Sequence, residues 1–184
     1  MLVENSFEVS ASRAQAWDLL MDVPRVIPCM PGAELTETVD DSNWKAKMGV
    51  KLGPISLTFA TDVARTSADE EAGVVELSAK AREMRGRGGA QATIRSSLTA
   101  VGDSTRVDIA TDLALSGAVA QYGRGIVHDV SAQLVEQFAE CLQKQLAGTR
   151  EEAEAAVEEA SKPVSGTSLG FRAVLAALKR LFRR

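Results

Sequence analysis

At 184 residues the chain is long enough for one globular domain plus an appendage, and its 45% apolar and 25% charged content is ordinary for a globular protein. A formal net charge of −4 excludes a general nucleic-acid binder, which would be basic, so no nucleic acid is expected as a partner. No run of about eighteen apolar residues occurs, which excludes a membrane-spanning helix.

The first residues, MLVENSFEV, carry neither a basic nor an apolar leader segment, so no signal peptide is expected. Met1 to Val9 reads as a first strand with Phe7 and Val9 facing one side. Ser12-x-x-Gln15 has capping-box spacing, and Trp17, Leu20 and Met21 supply the apolar stripe of a short helix. Asp22-Val23-Pro24 starts a second short helix, which Pro28 and Pro31-Gly32 end. From Ala33 to Leu115 the apolar period becomes two, which predicts strands near 33–39, 44–52, 55–66, 74–84, 90–100 and 105–115. Turn-forming clusters separate them at 40–43, Gly53-Pro54, 69–73, 86–89 and 102–104. Ile55, Leu57, Phe59 and Val63 oppose Ser56, Thr58 and Asp62; Val107, Ile109, Leu113 and Leu115 oppose Arg106, Asp108 and Asp112. One buried face and one wet face imply an antiparallel meander.

Gly117 to Ala147 then carries apolar residues at helical spacing: Val127, Val130, Leu134, Phe138, Cys141 and Leu142. Such a helix is roughly 40 Å long and covers the buried face of the sheet. Its halves are unequal. The second presents Leu134, Phe138 and Leu142; the first presents Ala120, Gly123 and Val127. Laid on a sheet, the bare half leaves room for a ligand, unless large sheet residues fill it. Trp44, Met48, Leu57, Phe59 and Met84 would line that room from the sheet, with Val130 completing the helix side. Tyr122 or Arg124 would hydrogen-bond a polar headgroup at its mouth. For each of these residues, ordinary core packing or solvent exposure is the plain alternative.

The catalytic inventory is thin, and no enzyme activity and no metal site are expected. The single histidine, His128, has no metal-ligand cluster around it in sequence, and no G-x-S-x-G elbow occurs. Gly86-x-Gly88-Gly89 lacks the Lys-Ser/Thr of a phosphate loop and joins two strands, as a hairpin turn does. Cys29 and Cys141 lie far apart among apolar residues, and are expected to be reduced core thiols in a cytosolic protein.

Three parts follow: a domain over 1–148, an acidic and flexible linker over 149–168, and a basic amphipathic helix over 169–184. In the last, Phe171, Val174, Leu175, Leu178, Leu181 and Phe182 mark one side, and Arg172, Lys179 and Arg183 the other. This is the pattern of an element lying in a membrane interface. At roughly 21 Å it is too short to cross a hydrocarbon core of about 30 Å. Docking in a partner's groove, or folding back on the domain, are the alternatives.

Trp17-Asp18-Leu19-Leu20 with Asp22, the segment Ile27 to Ala33, Gly53-Pro54-Ile55 and the segment Leu115 to Gly123 resemble the G-subunit (CoxG) family of carbon-monoxide dehydrogenase over about residues 1–147. That family belongs to the START-like (SRPBCC, helix-grip) superfamily. The resemblance implies an α+β fold. A seven-stranded antiparallel sheet would wrap around a long C-terminal helix, with two short helices after the first strand and a hydrophobic cavity between sheet and helix. It also implies attachment of the molybdenum hydroxylase carbon-monoxide dehydrogenase to lipids of the cytoplasmic membrane, on its inner face, without a catalytic role. Cavity and tail together lead to the expectation of a bound respiratory quinone, menaquinone or ubiquinone, or a similar lipid. Its chain would lie against Ala120, Gly123 and Val127, with no covalent cofactor. The competing expectations are a membrane-anchor adaptor with a filled core, and a START-like cyclase or hydrolase. The latter needs ionisable groups pointing into the cavity.

Overall fold

A computed structural model describes residues 1–52 and 55–148; for Leu52, Ile55 and residues 122–124 it describes the backbone alone. The Gly53-Pro54 turn, the 149–168 linker and the whole tail lie outside the described residues. The tail positions concerned are Phe171, Arg172, Leu175, Leu178, Lys179, Leu181, Phe182 and Arg183.

Strand β1 (Leu2–Val9) leads into α1 (Arg13–Met21), α2 (Val23–Val26) and a 3-10 turn at Ile27–Cys29. The meander follows as β2 (Ala33–Thr38), β3 (Asn43–Leu52), β4 (Ile55–Asp69), β5 (Val74–Glu83), β6 (Gly88–Val101) and β7 (Ser104–Gly117). A 3-10 turn at Ala118–Tyr122 then opens α3 (Gly123–Ala147). The seven strands form one antiparallel sheet in the order β1-β7-β6-β5-β4-β3-β2. The two short helices carry the chain from one edge of the sheet to the other. This is the α+β arrangement that the alternation and the resemblance predicted.

Local chemistry explains the boundaries. Ser12 and Gln15 form a reciprocal capping box at α1, worth about 1 kcal/mol, and the Asp22 side chain caps α2 by accepting from the Arg25 N–H. Beyond Val26 the chain tightens into the 3-10 turn that contains Pro28. Where β6 begins and β7 ends, Gly88 faces Gly117 at positive φ. A Cβ at Gly88 would stand 2.0 Å from the Ser116 carbonyl oxygen, so only glycine lets the strands meet there.

The second half of α3 sits on a dense core. Phe138, Cys141 and Leu142 pack with Trp17, Leu19, Val9, Val107 and Leu98, and the Phe7 ring meets Phe138 edge-on at 6.0 Å. Here the cysteine expectation is overturned. Cys29 and Cys141 are joined in a disulfide, with Cα atoms 5.4 Å apart. The bond spans 112 residues, and no local pattern marks such a pairing. It arises because α3 lays Cys141 across the Ile27–Cys29 turn. Gln145, one turn on, donates to the Arg25 carbonyl at 3.1 Å and to Cys29 Sγ at 3.0 Å, which ties the same crossing a second time. No helix among the described residues is long and apolar enough to cross a membrane.

Candidate ligand-binding site

Strand pairing decides what the inner face of the sheet presents to the first half of α3. Because antiparallel partners share a face, the register generates rows running across the strands. One row reads Ala46, Thr61, Ala81, Ala90, Leu115; the next reads Trp44, Val63, Ala79, Ala92, Leu113. The middle of both rows is alanine. On α3 above them, Val127 and Val130 are modest in size.

The core accordingly comes in two pieces. The dense end described above is one. The other, at the opposite end of the sheet, is built on Leu57, Phe59 and Val119, with Val50, Ala81 and Leu115 against it. Between the two pieces Thr61, Val63, Ala79, Ala92, Ile94, Leu113, Val127 and Val130 all remain half-buried. Side chains this small, on both sheet and helix, leave an apolar hollow with solvent access rather than a packed interior.

One polar atom inside is left over. The Thr61 hydroxyl is buried and has no hydrogen-bond partner. An unpaired buried hydroxyl costs about 1–3 kcal/mol, and a carbonyl or hydroxyl of a bound molecule would relieve it. The apolar alternation of β4 gave no signal for this residue.

Two inward-facing ionisable groups are already engaged. Arg65 stacks over the Trp44 ring at 5.6 Å and donates to the carbonyls of Met21 at 3.1 Å and Asp41 at 2.7 Å. Glu83 is only 4% exposed, and its Oε2 accepts the backbone N–H groups of Arg85 at 2.8 Å and Arg87 at 3.0 Å. Burial alone would raise its pKa. The N–H groups of Arg87, Arg85 and Thr58, together with the Arg87 guanidinium, outweigh burial and hold the carboxyl below its ordinary range. Glu83 thus braces the β5–β6 turn. That turn in turn holds the approach to α3, because the Arg87 carbonyl accepts from Ala118 N–H at 2.8 Å.

The sequence-named residues divide among these places. Leu57 and Phe59 form the second core piece with Met48 half-buried beside them, and Trp44 is sealed under Arg65. Val127 and Val130 face the hollow half-buried. Met84 does not join them: it follows Glu83 by one residue, takes the outer side and is 60% exposed. Ala120 is also exposed, because the chain there is a 3-10 turn rather than α-helix, and the shorter turn puts Val119 inside instead. Tyr122, Gly123 and Arg124 are placed by backbone only, at the junction of that turn with α3. His128 is exposed. Among the described residues, no group of three or more His, Cys, Asp and Glu could hold a metal ion.

A sequence profile of the carbon monoxide dehydrogenase G subunit (CoxG) matches residues 6–147. The chain belongs to that family. Among solved structures, a conserved protein of Geobacillus kaustophilus superposes with a TM-score of 0.71 at 21% identity, covering 80% of this chain and 95% of its own. A START superfamily protein of Mycobacterium smegmatis gives 0.53 at 18% identity, covering 79% and 96%. A protein of Thermus thermophilus gives 0.53 at 14% identity, covering 88% and 100%. These likenesses establish the START-like fold for this CoxG domain. No curated protein matches the sequence.

Proposed function

We propose that this chain is a non-catalytic accessory protein of carbon monoxide dehydrogenase that holds an isoprenoid quinone, or a lipid of similar shape, in the hollow beneath the first half of α3. Membership of the CoxG family supports the partner. The observation that carries the ligand is the half-exposed apolar inner face with an unpaired hydroxyl, Thr61, inside it. A long apolar chain suits the alanine rows, and a ring carbonyl suits the hydroxyl. Acid–base catalysis by a cyclase would need a free ionisable group in the hollow, whereas Glu83 and Arg65 are both committed to backbone partners.

The second half of the proposal is attachment. Residues 169–184 would lie in the interface of an anionic membrane as a basic amphipathic helix, bringing enzyme and quinone pool together on the inner face of the cell membrane.

Two measurements test the halves separately. Organic extracts of the purified protein, read by mass spectrometry, are expected to contain quinone or lipid. The Thr61→Val variant is expected to bind added quinone about five- to ten-fold more weakly, while its ligand-free form is as stable as the wild type or more so. An empty extract with no uptake of added quinone refutes the carrier role and leaves the anchor. Deletion of residues 169–184 is expected to abolish sedimentation with anionic liposomes; unchanged sedimentation refutes the anchor and leaves the carrier.

A further inference from the structure

A groove of about 670 Å³ runs along the outside of the dense end, between the free edge of β1 and one face of α3. Its helix wall is Ala132, Val135, Glu136, Ala139 and Glu140, which follow one another at i, i+3, i+4, i+7 and i+8. Its strand wall includes the half-buried Phe7 and the exposed Glu8. We propose that residues 169–184 of this same chain dock in that groove as a helix when no membrane is present. The proposal rests on the reading of the tail as a membrane-binding element, because the apolar face that enters lipid is the one that would enter the groove.

Shape, length, charge and reach all favour this occupant. Ala132 and Ala139 are small and seven positions apart on one face, which lets a second helix approach α3 closely. The groove follows α3 from Ala132 to Lys144, about 18 Å at 1.5 Å per residue; Phe171 to Phe182 spans about 17 Å as a helix. The acidic side chains of the groove, Glu8, Glu136 and Glu140, take part in no ion pair given among the described residues. The tail brings Arg172, Lys179, Arg180, Arg183 and Arg184. Residues 149–168 leave from the end of α3 close to Lys144, and a flexible segment of that length has a root-mean-square span of about 25 Å. The tail can therefore return antiparallel along α3. A short tether holds it at roughly millimolar effective concentration, so even a weak contact is substantially occupied.

The consequence is a competition. In the docked state Leu175, Leu178 and Phe182 are covered and the tail's charges are neutralised. An anionic leaflet offers both a larger apolar phase and more negative charge, and so draws the tail out. The chain would then expose its anchor mainly at the surface it is meant to reach.

Zero-length carbodiimide cross-linking of the full chain, read by mass spectrometry, tests this without any substitution. The expected result is an intramolecular link from Lys179, the one lysine of the tail, to Glu8, Glu136 or Glu140 in monomeric protein. Vesicles of phosphatidylglycerol and phosphatidylcholine are expected to reduce it at least five-fold. Links from Lys179 only to glutamates of the 151–159 segment, or only within a dimeric species, overturn the docking, the latter pointing to a second copy in the groove. Absence of the link in a chain that sediments with vesicles overturns the docking and keeps the membrane reading. A link that forms and ignores vesicles keeps the docking and sinks the membrane reading.

Discussion

The two ends of α3 belong to one helix but keep different company. At the far end Leu142 is 2% exposed, packed with Phe138 against α1 and the sheet and tied down by the Cys29–Cys141 bond. At the near end Ile126 is 46% exposed, and Val127 and Val130 look down on alanines. The first arrangement supplies stability and the second supplies space. The contrast shows that stability and ligand capacity lie in different residues of this fold, so each can be altered with little change in the other.

Leu142→Ala gives the largest effect expected. It opens a void in the dense end and should lower unfolding free energy by about 2–5 kcal/mol in urea titrations, with ligand capacity per folded molecule unchanged. Replacing both Cys29 and Cys141 by alanine comes next. The bond closes a loop of 112 residues, and its loss should cost about 2–4 kcal/mol, with the melting temperature of the variant insensitive to reductant. Alkylation of cell extracts with and without prior reduction shows whether the bond exists in the cell, where a reducing cytosol opposes it.

Ala92→Leu probes the other end. In a filled interior an added isopropyl group costs about 1–3 kcal/mol; in the hollow the change should stay within about 1 kcal/mol while uptake of quinone falls at least ten-fold. A large loss of stability instead would show that the rows around Ala92 are packed solid. The smallest effect sits at the turn between the ends. The Glu83 carboxyl is held below its ordinary value of 4.5, so its contribution is present above that pH and is lost as pH falls through the lower, folded value. Glu83→Gln should be less stable than wild type at about pH 6, and the gap should close toward about pH 3 in denaturant midpoints.

Much of the architecture is local and was readable in the chain. Alternation through Leu57-x-Phe59 and Val107-x-Ile109 gave the strands their period and their inner face; Ser12-x-x-Gln15 gave the start of α1; Asp and Gly clusters gave the turns. Each of these signals lies within a few residues of the structure it dictates, because hydrogen bonds within turns and caps are short-range. The family resemblance was likewise legible in Ile27 to Ala33 and Leu115 to Gly123, and the profile match over 6–147 agrees with it.

Tertiary structure decided the rest. A single step of strand phase put Glu83 inside and Met84 outside, and the switch from α to 3-10 geometry exchanged Ala120 for Val119. The disulfide required α3 to cross a turn 112 residues away in sequence. The hollow itself exists because register sets Ala79 against Ala92 and Ala81 against Ala90 while Thr61 is left without a partner. No alanine announces its cross-strand neighbour. Period is a property of one segment, but register and crossing belong to pairs of segments, and only the folded chain brings those pairs together.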